Sequence, residues 1–110
     1  MLVSCKLETQ DWVISQIIID DVIKKPTVEL GDYYISIPKD TEFDMVYFLL
    51  FKSDKYIPLR KIEYDNDYIE LVNIYDKQQR ITFRALQKGR TTITLETTNY
   101  GVTGYDFVIY

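Results

Sequence analysis

Apolar and polar residues alternate most regularly in the C-terminal half, where Ile81, Phe83 and Ala85 fall on one side of an extended backbone and Arg80, Thr82 and Arg84 on the other. A period of two marks a strand buried on one face. After the turn signal Gln87-Lys88-Gly89-Arg90, the run Thr91 to Thr97 sets Ile93 and Leu95 against Thr92, Thr94 and Glu96. The two runs read as a hairpin. A further turn, Asn99-Tyr100-Gly101 to Gly104, leads to a last strand in which Tyr105, Phe107 and Ile109 share a face.

Earlier in the chain, Gly31-Asp32 opens the strand Tyr33 to Ile37, which stops at Pro38 because proline has no N–H for a ladder. Met45 to Phe51 is continuously apolar, the pattern of a central strand buried on both faces. Leu59 to Tyr64 and Tyr68 to Tyr75 are two more strands, separated by a turn at Asp65-Asn66-Asp67, whose short side chains bond their own backbone. Trp12 to Ile23 fits a helical period as well as an extended one. Its β-branched excess decides for a strand, Val13 to Ile19, since Val and Ile lose rotamer freedom in a helix and pack well on a pleated surface. Several short strands at a spacing of roughly 8–12 residues specify an all-β sandwich, expected with about 7–9 antiparallel strands.

At 110 residues the chain is the size of one domain, expected to span residues 1–110, with residues 1–11 as an N-terminal arm. Met1 reads as an initiator, so the chain is expected to be complete. With 46% hydrophobic and 27% charged residues it has the composition of a folded globule, not of a disordered tail. A net charge of −4, with 13 Lys and Arg residues scattered among acids, offers no basic stripe to a phosphate backbone, so nucleic acid is not an expected partner.

Histidine is absent and cysteine occurs once, at Cys5. That excludes Ser-His-Asp and Cys-His catalysis, Cys/His zinc clusters and an internal disulfide. A carboxylate pair of the glycosidase type could be drawn from 17 Asp and Glu, but it needs a deep cleft that a small sandwich seldom has. No enzyme activity, cofactor or small-molecule substrate is expected. Leu2-Val3-Ser4-Cys5 has the look of a lipid-anchor box, yet lacks the apolar run of about 7–15 residues that precedes a cleavage site. No segment reaches the roughly 18 uncharged apolar residues of a membrane helix. Asp20-Asp21 and Asp65-Asn66-Asp67 carry oxygens of the type calcium prefers, without the spacing of a calcium loop, and turn formation accounts for the second equally well.

Ile81-Thr82-Phe83-Arg84-Ala85-Leu86-Gln87-Lys88-Gly89-Arg90-Thr91-Thr92-Ile93-Thr94-Leu95 resembles a segment shared by bacterial immunoglobulin-like domains of group 2 and by chagasin-type cysteine-protease inhibitors. Val28 to Ile35 is similar to the strand-Gly-Asp-strand opening of the same families. The resemblance implies an immunoglobulin-like sandwich in which Leu86 plugs a corner and Gly89 eases a turn. The inhibitory Asn-Pro-Thr-Thr-Gly, Gly-rich and Arg-Pro-Trp-like loops are missing. The nearest loops are 39 to 43, 75 to 79 and 97 to 104, and no inhibitory residue carries over.

Group 2 domains occur in adhesins and in phage head and tail proteins. The resemblance therefore implies a structural module binding a repeating protein surface, such as the major capsid protein of a virion. Protease inhibition and cell-surface adhesion are the alternatives. Tyr, though simply a good strand residue, also makes contact area at low entropic cost. The candidate interface is accordingly Tyr100 and Asn99 in a Gly-flanked loop, Phe43, and Tyr56 with Arg60 in the loose cluster Lys52, Lys55, Arg60 and Lys61. Exposed sheet edges are a second route to a partner, needing no special side chains.

Overall fold

The computed structural model describes residues 13–49, 58–98 and 101–110. It is an all-β sandwich of two sheets, with ten strands among the described residues. In chain order these are β1 (Val13–Ile19), β2 (Val22–Lys24), β3 (Thr27–Glu29), β4 (Asp32–Ile37), β5 (Glu42–Leu49), β6 (Leu59–Glu63), β7 (Ile69–Tyr75), β8 (Arg80–Ala85), β9 (Gly89–Thr97) and β10 (Gly101–Ile109). One sheet has the order β2-β1-β5-β8-β7 and the other β3-β4-β10-β9-β6. The pairing is antiparallel except between β4 and β10, which run parallel.

The core follows from the alternation. Phe43, Met45 and Tyr47 of β5, Ile81, Phe83 and Ala85 of β8, Ile93 and Leu95 of β9, and Phe107 and Ile109 of β10 are all buried in one cluster between the sheets. Phe43 stands at its centre, 5.7 Å from Phe83 and 5.3 Å from Phe107 between ring centroids, so the aromatic contact bridges both sheets.

Several expectations need correction. The runs around 80–85 and 91–97 are not a hairpin. β8 pairs with β5 and β7, β9 with β10 and β6, and residues 86–88 carry the chain from one sheet to the other. Both strands bury a face, so their patterns are compatible with neighbours in one sheet or with facing positions in two. β5 begins at Glu42 and is not buried on both sides, because Asp44 and Val46 alternate with the core residues and are only half-buried. Residues 50 and 51, at the end of the apolar run, lie outside the described residues. Leu86 is half-buried and is not part of the core; Tyr68 and Tyr64 pack against the core from the segment before β7.

Other expectations hold. β1 is the strand chosen over a helix, and Asp65 makes the anticipated turn, its Oδ1 accepting the Asp67 N–H at 2.9 Å while its carbonyl accepts from Tyr68 and Ile69. Unexpected is the short strand β2, whereas β3 lies where the resemblance implied a strand ahead of Gly31. Asp20 and Asp21, with φ of 51° and 64°, form a two-residue loop that returns β2 along β1. Positive φ at both loop positions is what a type I′ hairpin requires. Leu30 (φ 52°) and Gly31 (φ 85°) do the same between β3 and β4.

Candidate functional site

Among the described residues, β2 and β3 are the outermost strands of their respective sheets, and they are joined by Lys25 and Pro26 alone. Residues 22–29 thus run along one flank of the sandwich, leaving the edge of one sheet for that of the other. The side chains along this flank do not match its exposure. Val22, Ile23, Val28 and Tyr33 are each more than half exposed, and Leu30 at the β3–β4 tip is 97% exposed. Val28 and Tyr33 are cross-strand partners, so two apolar side chains share a face beside Leu30.

Leu30 is the least expected of these. The first position of a type I′ loop is normally Asn, Asp or Gly, because a left-handed backbone pushes Cβ against the following carbonyl at a cost of roughly 1–2 kcal/mol. A leucine here gains nothing from burial that would offset the strain.

The opposite flank is differently made. β6 carries exposed Arg60, Lys61 and Glu63, with Arg60 bridged to Glu96 at 3.1 Å and Lys61 to Glu63 at 3.0 Å, and its ladder shifts register between Leu59 and Lys61. β7 exposes Val72, Ile74 and Tyr75 but has a register shift between Leu71 and Asn73. Charges and bulges are the usual devices that stop an edge from accepting another strand. β2 and β3 are paired without a register shift.

The outer faces of the sheets are laced with polar contacts. On β5 and β8, Arg84 Nη2 donates to Glu42 Oε2 at 2.6 Å, Arg80 Nε lies 3.0 Å from Asp44 Oδ2, and Thr82 Oγ1 donates to Asp44 Oδ1 at 2.7 Å. The bond that Arg84 donates to Glu42, and the charge of that carboxylate, push the Arg84 guanidinium pKa up from its already high ordinary value. On the other sheet, Thr92 Oγ1 donates to Asp106 Oδ1 at 2.8 Å, and the Arg90 guanidinium sits 5.3 Å over the Tyr34 ring. These carboxylates are engaged in cross-strand pairs. A depression of about 240 Å³ lined by Tyr75, Asp76, Lys77 and Gln78 lies along the single turn between β7 and β8. Among the described residues, no three of His, Cys, Asp and Glu gather as metal ligands would, and no helix is long and apolar enough to cross a membrane.

Of the residues singled out from sequence, Asn99, Tyr100 and Tyr56 lie outside the described residues. Phe43 is corrected outright: it is 2% exposed and stacked in the core, so it has no surface to offer. Its alternation with Met45 and Tyr47 was the signal. Arg60 is on the surface of β6, held by Glu96.

The loops named for protease insertion do not gather at one end. Asp40 N–H donates to the Ala85 carbonyl and Ala85 N–H to that of Thr41, at the far end of β8, whereas Tyr47 N–H donates to the carbonyl of Gln79, just before β8 begins. The two loops are separated by the length of a six-residue strand, roughly 17 Å.

No protein-family model and no curated protein matches this chain. Among solved structures, the S-layer protein rSbsC is similar, with a TM-score of 0.52 and 14% identity over 78% of this chain. The match spans 13% of that protein's length, and at this identity the likeness is one of fold.

Proposed function

We propose that this chain is a non-enzymatic protein-interaction module of immunoglobulin-like fold that docks a protein partner along its β2–β3 flank. The immunoglobulin-like reading is supported by strand order. β1-β5-β8-β7 corresponds to the A-B-E-D sheet of such domains and β10-β9-β6 to the G-F-C sheet, with β4 added beside the last strand and the β2 and β3 hairpins inserted before it.

The observation that carries the functional reading is Leu30, fully exposed on a backbone that disfavours it. Strain held at a surface position, beside exposed Val28 and Tyr33, suits an anchor residue for a partner. The setting proposed is a repeating protein surface such as a phage capsid, in keeping with the resemblance to group 2 domains. The test is size-exclusion chromatography with light scattering on material from the native source, comparing wild type with Leu30→Asn and Val28→Lys. Co-migration with a larger particle at fixed stoichiometry, lost in both variants, is the expected result. A wild-type chain that travels free, or a complex indifferent to both substitutions, overturns the proposal.

A further inference from the structure

A two-residue hairpin is closed by a pair that exchanges both backbone hydrogen bonds, and beyond it bonded and non-bonded pairs alternate. In the β1–β2 hairpin the closing pair is Ile19 with Val22, so the next, Ile18 with Ile23, is of the non-bonded kind. The N–H and C=O of Ile23 therefore point away from β1, toward the side where β2 has no neighbour among the described residues. The Ile23 side chain is 52% exposed, and the strand contains neither a proline nor a bulge.

We propose that this edge pairs with the same edge of a second copy of the chain, β2 against β2 antiparallel, about a two-fold axis at Ile23. The two Ile23 residues then exchange both hydrogen bonds, and Val22 stands opposite Lys24 of the second copy. In this register Asp21 lies opposite Lys25 of the second copy, and the two-fold makes that pairing twice. Asp21 and Lys25 are exposed, and neither forms an ion pair with another described residue. The edge thus carries opposite charges at the two positions that self-pairing brings together. β3 offers no such match: an axis at Val28 sets Lys25 against Gly31, Thr27 against Glu29 and Leu30 against Pro26, which has no N–H to give. Five residues a side is well below the roughly 20–30 of a permanent interface, so the association is a weak one.

This pairing deepens the reading of the chain as a protein-binding module and rests on it, so the test separates the two. Purified protein is followed by sedimentation equilibrium up to about 1 mM, a range that detects weak self-association. The expected mass rises with concentration from 13.1 kDa toward twice that value. Asp21→Lys and Lys25→Asp, each confirmed as folded by circular dichroism, are expected to self-associate at least about tenfold more weakly. An equimolar mixture of the two restores association, because both contacts across the two-fold then join a lysine to an aspartate again. Ile23→Pro, which takes away the outward N–H of β2 without removing a ladder bond to β1, abolishes it.

A chain that stays at 13.1 kDa throughout, or a dimer indifferent to all these variants, overturns self-pairing. In either case, continued capture of the native partner by the same variants, with loss in Leu30→Asn, leaves the binding module standing. Loss of both fells the two together.

Discussion

The Tyr68 ring lies against the backbone of Gly89: a Cβ at Gly89 would stand 2.7 Å from Tyr68 Cε1. Gly89 also has φ +142°, a conformation that side-chain-bearing residues rarely adopt. The contact sits where the chain changes sheets between β8 and β9, and Leu86 N–H donates to the Tyr68 carbonyl at 2.8 Å across the same corner. Gly89→Ala is expected to destabilise the fold by about 1–3 kcal/mol, measured by denaturant unfolding. In a Tyr68→Ala background the same substitution should cost less, because the collision is gone and only the backbone strain remains. Equal costs in the two backgrounds would show that the ring plays no part.

Phe43 is the residue whose place in the structure differs most from its expected role at an interface. With rings from both sheets packed on it, Phe43→Ala removes contacts that span the sandwich, and such truncations cost about 3–5 kcal/mol. The expected result is a large fall in the denaturation midpoint of the isolated chain with no partner present. A variant as stable as wild type would return Phe43 to the surface.

Sequence made the strands visible where one face alternates over five residues or more. β8 and β9 were legible for that reason, and so was β1, where β-branched side chains excluded the helical period. What pattern cannot carry is which sheet a strand joins. Ile81 and Ile93 both point into the same core from opposite sides, and nothing in either run distinguishes that from adjacency. Three residues are too few to show a period, so β2 escaped and β3 was implied by the family resemblance of Val28 to Ile35 alone. The loops that define them place Asp20, Asp21 and Leu30 at positive φ, and only the first two are residues that turn chemistry favours. The flank that carries the proposed site was hidden by the same Leu30 that marks it.

Tyr105 offers a pH test of the C-terminal strand. Burial pushes its phenol pKa above the ordinary value of 10.0, and its ring meets Phe107 edge-on at 6.4 Å. The protonated form is therefore favoured in the folded chain relative to the unfolded one. The resulting stability is fully present below the unfolded pKa near 10 and is lost as pH rises through the higher folded value. Unfolding midpoints measured from about pH 8 to 11 should fall more steeply for wild type than for Tyr105→Phe. The other tyrosines titrate in both proteins, so the difference between the two curves is the quantity to read. Parallel curves would mean that Tyr105 ionises as freely in the folded state as in the unfolded one.

Leu30 should be the position where stability and binding part company. Its backbone is left-handed, its side chain is 97% exposed, and Gly31 after it already has the residue a type I′ loop prefers. Leu30→Asn completes the Asn-Gly pair favoured in such loops, and the asparagine tolerates the positive φ that leucine resists. No buried contact is removed. The variant is expected to be more stable than wild type by about 0.5–1 kcal/mol, read from thermal or denaturant unfolding of the isolated chain. If it is also the variant that loses the partner, the strain at Leu30 is retained for recognition, since a substitution that improves the fold cannot weaken binding by damaging it. A variant that is less stable than wild type would mean that Leu30 makes a contact in the folded chain, and the argument for an anchor at the hairpin tip would lose its premise.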